Sequence, residues 1–312
     1  MKTFLIAVAA FVGMLDAADA QTSRAYAMRG GSGSTCTQSA PCASLLDAVV
    51  ALPSASGGIV QLLSPGYFGN VNAPGTASYH VEGAGTGTVI NGFGLQGTGQ
   101  TGIVNALSVV GGSLDYSSSA GSFTIEDVRF SQNGVYGVYF IPKGPASVVI
   151  RNSTFERSST GTGAAIRIVT NGHNVNVSLD NVKVSGGIRG IVIDTTGGGW
   201  AKVNIENSSF TNIIGPAIYG VAGSGNIRLY LDRVTATNSN VGVVMAGANA
   251  MAWMTQSKIA GNATGIQQAG GAKIYSYKNN YIFNNTTDGT PLPTSPTPVQ
   301  SVPSSEIASA VK

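Results

Sequence analysis

"VVIRNSTF" (Val148–Phe155) alternates apolar and polar residues, setting Val148 and Ile150 against Val149 and Arg151. It then places Asn152 before a further apolar position at Phe155. Alternation with period two over a short β-branched run marks a strand with one buried face. The same shape recurs without gaps in "FTIEDVRF" (Phe123–Phe130), "VSLDNVKV" (Val177–Val184), "VNIENSSF" (Val203–Phe210), "LYLDRVTA" (Leu229–Ala236), "AWMTQSKI" (Ala252–Ile259) and "YSYKNNYI" (Tyr275–Ile282). The fifth positions are Asp127, Asn152, Asn181, Asn207, Arg233, Gln256 and Asn279, in steps of 25, 29, 26, 26, 23 and 23 residues. One unit is used at least seven times.

A strand-like unit repeated at this period cannot bury its apolar face alone and must stack on its neighbours as a solenoid. The inward pairs run from Phe123 with Ile125 to Ala252 with Met254 and Tyr275 with Tyr277. Three residues past the asparagine column comes a further inward set: Phe130, Phe155, Val184, Phe210, Ala236, Ile259 and Ile282. Another strand follows, centred on Gly137-Val138, Ala165-Ile166, Gly190-Ile191, Ala217-Ile218, Gly242-Val243 and Gly265-Ile266, with inward partners Phe140, Ile168, Ile193 and Met245. No helical periodicity intervenes, which excludes a βαβ sheet. A leucine-rich repeat would be richer in leucine and would carry its asparagine three residues after an apolar position, not two.

This register predicts that Asn152, Asn181 and Asn207 form an inward ladder of side-chain amides. On that reading "NST" and "NSS" are corner brackets and not glycan acceptors. The longest step predicts a projecting loop at "TNGHN" (Thr170–Asn174).

Ahead of the repeats stand "RAYAMRGGSGSTCTQSAPCASLLDAVVAL" (Arg24–Leu52), "GGIVQLLSPGYFG" (Gly57–Gly69) and "YHVEGAGTGTVING" (Tyr79–Gly92). With the repeats, they resemble the right-handed parallel β-helix proteins of the pectate-lyase-like superfamily, in particular secreted bacterial members. The resemblance spans nearly all of the chain after residue 20. It implies an all-β, right-handed parallel β-helix with a short N-terminal capping helix. Residues 21–57 would form the cap, with a disulfide loop and a helix in "LLDAVVAL" ended by Pro53. Residues 58–285 would form the β-helix and residues 286–312 a Pro/Ser/Thr-rich tail.

Residues 1–20 read as a secretory signal, with Lys2, an apolar run from Phe4 to Leu15, and small Ala18 and Ala20. A secreted or periplasmic protein without membrane insertion is expected. Export allows Cys36 and Cys42, the only cysteines, to pair as a local staple. With His80 and His173 as the only histidines, a zinc site of the usual composition is excluded. A formal charge of +3 without a basic block argues against nucleic acid, and the glycines after Glu82 open no helix, which argues against a phosphate loop.

Chemistry on such a fold belongs on its outward columns. Asp180, Glu206 and Asp232 would stack on successive rungs about 4.8 Å apart. They could hold calcium or act as paired acids on a glycosidic bond; equally, they could be a solvated column offset by Lys183 and Arg233. A second outward column, Tyr139, Arg167, Val192, Tyr219, Val244 and Gln267, offers tyrosines for sugar rings and an arginine for acidic groups. The local motifs of polygalacturonases and pectate lyases are absent, so no catalytic residue is carried over. Two functions follow: a non-catalytic scaffold that binds polysaccharide or a cell-surface glycan, or a polysaccharide lyase or glycoside hydrolase with an atypical carboxylate site.

Overall fold

The computed structural model describes residues 23–289, apart from 74 and 158–160, and also Leu292. The leader read in residues 1–20, and most of the stretch read as a tail, lie outside the described residues. The chain is a parallel β-solenoid, and every strand pairing within it is parallel. Crossovers between parallel strands are right-handed in nearly all proteins, which agrees with the expected hand. A central rung has three short strands, such as Trp200–Glu206, Ser209–Thr211 and Pro216–Val221. The first two kinds of strand stack into one bent sheet of 19 strands, and the third kind into a sheet of 10. The last strand of that second sheet, Thr287–Gly289, pairs with Thr264–Ala269.

The register is the one read from the repeats. Val148 pairs with Val177, Val177 with Val203, Val203 with Leu229, and Leu229 with Ala252. In the third stack Val138, Ile166, Ile191, Ile218, Val243 and Ile266 fall in one column. Small residues precede these for a steric reason: a Cβ on Gly190 would lie 2.8 Å from the Phe210 ring and 2.2 Å from the Ala217 carbonyl. Inside, like residues stack on like, as with Phe130 on Phe155 at 4.2 Å and Tyr116 on Phe140 at 4.8 Å between ring centroids.

The helix Leu45–Ala51 starts at Ser44, whose Oγ accepts from the Asp47 N–H. It buries Leu45, Ala48 and Val49 against the strands Arg24–Ala27, Gly57–Leu62 and Asn70–Ala73. Cys36 and Cys42 are joined in a buried disulfide, Cα to Cα 4.7 Å.

The asparagine column does not face inward. Asn152, Asn181 and Asn207 are exposed, and their backbone is left-handed, with φ of 48°, 51° and 49°. Asp127, Arg233 and Gln256 share that conformation in the same column. Asparagine suits the position because its short polar side chain tolerates a bend that other L-residues resist. The amides bond along the outside: Asn181 Nδ2 donates to Asn152 Oδ1 at 3.0 Å, and Asn207 Nδ2 to Asp180 Oδ1 at 2.8 Å. Burial therefore does not shield "NST" and "NSS" from modification.

The inward position is the next residue. Ser208 Oγ accepts from the Val182 N–H at 3.0 Å and donates to the Glu206 carbonyl at 2.6 Å, and Ser153 and Ser257 repeat this arrangement. Five residues on, a second left-handed bend recurs at Gln132, Arg157, Gly186, Asn212, Asn238, Gly261 and Asn284. There the inner position does hold asparagine: Asn133 Nδ2 donates to the Gly112 carbonyl, Asn262 Oδ1 accepts from the Ser239 N–H, and Asn285 Oδ1 accepts from the Asn262 N–H, the last two at 2.9 Å.

Two further expectations fail. Ala252 pairs with the buried Ile274, which turns Tyr275 and Tyr277 away from the core. One extra residue at the corner, Lys278 with φ of 65°, restores the pairing of Ile259 with Ile282. A slip of one residue exchanges the faces of a strand. "TNGHN" does not hold the extra length of its step: it is a five-residue connection like the next one at 195–199, and Thr170 is fully buried with its Oγ donating to the Gly198 carbonyl. The extra length lies between Glu156 and Ala164, ahead of the third strand.

Replacing Ser208 with alanine strands the buried Val182 N–H and is expected to destabilise the protein by about 1–3 kcal/mol. Asn152→Gly should stay within about 0.5 kcal/mol of wild type, because glycine adopts the left-handed bend freely. Thermal melts of the two variants check this; a large cost for Asn152→Gly would place that side chain inside.

Candidate functional site

The outer face of the ten-stranded second sheet carries Tyr139, Arg167, Val192 and Tyr219 in direct register. The alternation within "AAIRIV" and "PAIYGV" turns Arg167 and Tyr219 outward while Ile166 and Ile218 enter the core. Around them lies a cleft of about 300 Å³ lined by Thr162, Arg167, Arg189, Val192, Asp194, Tyr219 and Val221. That volume is at the small end of ligand sites. Val192 faces outward yet is only 3% exposed, and it forms the floor.

Arg167 pairs with Asp194 at 2.8 Å, with their side chains 25% and 15% exposed. Asp194 Oδ1 also accepts from the Thr196 N–H at 3.0 Å and from its hydroxyl at 2.6 Å. The cleft's one carboxylate is thus held by a cation and two donors. Arg189 differs: its guanidinium donates to the Thr162 carbonyl, and among the described residues no carboxylate pairs with it. The lining therefore carries two guanidiniums against one carboxylate, and one positive charge is uncompensated.

Tyr139 stands one rung before Arg167 and is stacked on Tyr136 at 4.7 Å, with the Arg167 guanidinium 5.9 Å from the Tyr136 ring. Burial raises the Tyr139 phenol above its ordinary value, Tyr136 adds to the rise, and Arg167 opposes it. In register below Tyr139 is Asp115, whose Oδ1 is buried without a hydrogen-bond partner among the described residues. Burial raises its carboxyl, against a hydrogen bond from Ser113 that lowers it.

Asp180, Glu206 and Asp232 stack as read, but on the first sheet, away from the cleft. Arg233 Nη1 lies 2.5 Å from Asp232 and Nη2 4.0 Å from Glu206, while Asp180 accepts from Asn207. Among the described residues no three His, Cys, Asp or Glu side chains converge as a metal site. The six candidate residues thus divide into two separate groups. The cleft unites Arg167 and Tyr219, with Tyr139 one rung before them.

Periodicity alone missed Thr162, Arg189 and Asp194. Asp194 was readable as the next outward position of "IVID". Arg189 and Thr162 reach the cleft through connections whose length the repeat does not fix.

A carboxyl raised on folding binds its proton more tightly in the folded chain, so stability falls as pH rises from the ordinary carboxylate range through the raised value, then levels. Asp115→Asn should therefore be more stable than wild type at neutral pH, with the gap narrowing in acid below the ordinary carboxylate value. Melting temperature against pH for both proteins checks this, and a gap independent of pH would contradict it.

No protein-family model matches the chain, and no curated protein is similar to it in sequence. A solved structure of pectate lyase Pel9A is similar with a TM-score of 0.47 and 17% identity, over 86% of this chain and 79% of that one. Among the described residues no helix is long and apolar enough to cross a membrane. A disulfide-stapled parallel β-helix with an arginine-lined cleft on its second sheet is what the chain's own register establishes.

Proposed function

We propose that this chain is a secreted or periplasmic binding scaffold, without catalysis, for polysaccharide or cell-surface glycan carrying acidic groups. The observation that carries the reading is Arg189: a cation facing a sugar-sized cleft with no carboxylate of its own. A guanidinium there can take a uronate or sulfate group in bidentate fashion. Tyr219 supplies the aromatic surface beside it, and it has no ring partner among the described residues.

Two features favour binding over turnover. Hydrolysis of a glycosidic bond ordinarily needs two carboxyl groups flanking it, and the cleft lining includes one, Asp194, engaged by Arg167 and Thr196. The stacked acids on the first sheet are engaged by Arg233 and Asn207. Calcium is not required on this reading.

Affinity electrophoresis of the purified chain in gels of acidic and neutral polysaccharides, with calcium and with chelator, tests it. Retention by uronate-containing or sulfated polymers is expected in both conditions, and Arg189→Ala and Tyr219→Ala should each weaken it about tenfold or more. Release of unsaturated or reducing ends that disappears in an Asp180→Asn, Glu206→Gln double variant would instead make the protein a lyase or hydrolase.

A further inference from the structure

Both tryptophans of the chain lie on the outer side of the first sheet, well away from the cleft. Three outward columns run there side by side. The first holds Lys202, Arg228, Met251 and Lys273; the second Asn204, Tyr230, Trp253 and Tyr275; the third Asp180, Glu206, Asp232 and Thr255. A basic column, an aromatic ridge and an acidic column are thus spaced two residues apart, about 7 Å.

The ridge is continuous. Tyr230 stacks on Trp253 at 4.9 Å with 12° between planes, and Trp253 on Tyr275 at 5.8 Å with 20°. Arg228 lies 5.3 Å over the Trp200 ring, which is 43% exposed. Stacking uses the flat faces of these rings, the surfaces that a sugar would need, and leaves their edges pointing outward. A row of aromatic edges with methionine and arginine beside it has the composition of a protein interface.

We infer that this face pairs with the same face of a second copy, about a two-fold axis parallel to the solenoid axis. Charge complementarity selects both the occupant and the axis. That rotation exchanges left and right at constant height, so Lys202 meets the copy's Glu206 and Arg228 meets its Asp232, each pair formed twice. The aromatic ridges meet at the axis. A two-fold running along the strands would set base against base. Arg233, at the rim, already contacts Asp232 and Glu206, yet these two carboxylate side chains remain 27% and 43% exposed.

Six rungs of this sheet, from Ala146–Arg151 to Lys273–Ser276, present roughly 30 Å by 20 Å, or about 600 Å² per copy. That is somewhat below the roughly 800 Å² per partner of a standard stable interface, so the dimer is concentration-dependent.

Sedimentation velocity of the purified full chain, from low micromolar to submillimolar concentration, tests the inference. A reversible monomer–dimer equilibrium is expected. Lys202→Glu with Arg228→Glu makes the two central rungs acidic on both sides of the ridge and should weaken association at least about tenfold. Glu206→Lys with Asp232→Lys makes the same two rungs basic on both sides and should do the same, whereas an equimolar mixture of the two variants should form heterodimers. Circular dichroism and melting temperature confirm folding; if the second variant unfolds, Met251→Asp replaces it and should also dissociate the dimer. A wild type that is monomeric throughout, or dimers that survive in the charge variants, overturn the inference. So does a failure of the folded variants to associate when mixed, or a wild-type monomer whose retention by glycan is lost with Lys202→Glu and Arg228→Glu. Retention through Arg189 and Tyr219 on the other sheet is read independently, so either result can fail alone.

Discussion

The rungs from Ala106 to Gly261 turn through two left-handed bends five residues apart, such as Asn207 and Asn212, in register with one another. For most L-residues such a bend costs about 1–2 kcal/mol, and here Arg233, Gln256 and Gln132 accept it as well as asparagine. The cost is offset because the bend sends one side chain outward and places the next residue inward, where a serine hydroxyl or amide satisfies the backbone of the neighbouring rung. A rung that missed the bend would expose its own apolar face and strand the donors of the next. The phase of every strand, and therefore which side chains reach solvent, follows from these corners.

Much of this was legible in the sequence because alternation survives unchanged in every repeat but the last. The pairing of Val177 with Val203, or of Ile191 with Ile218, could be written down from the repeats. The direction of the asparagines could not. A fifth position that is polar in all seven units fits either a buried ladder or an exposed left-handed bend, and only the serine after Asn152 and Asn207 hinted at the second. Tyr275 misled for another reason: an extra residue at the corner leaves both flanking patterns intact while exchanging the faces between them. At the cleft, Arg167 and Tyr219 were visible as outward residues of regular strands. Arg189 and Thr162 were not, because connections of irregular length bring them there.

Aromatic residues on this solenoid fall into two kinds, which their partners distinguish. Phe130 with Phe155 inside, and Tyr230 with Trp253 outside, stack on the rung beside them and repeat the spacing of the sheet. Such rings reinforce the register whichever side they face. Tyr219 belongs to the other kind, with valines above and below it in its column and its ring left unstacked. Among the described residues no other ring covers its faces.

The connection between Glu156 and Ala164 is longer than its counterparts and supplies Thr162 to the cleft wall. The bend at Arg157 fixes the phase of the chain before it, and the pairing of Ile166 with Ile191 fixes it after. Residues can therefore be gained or lost between those points without moving a core side chain. The size of the cleft can change here, by insertion or deletion after Arg157, with the rest of the solenoid held as a constant frame.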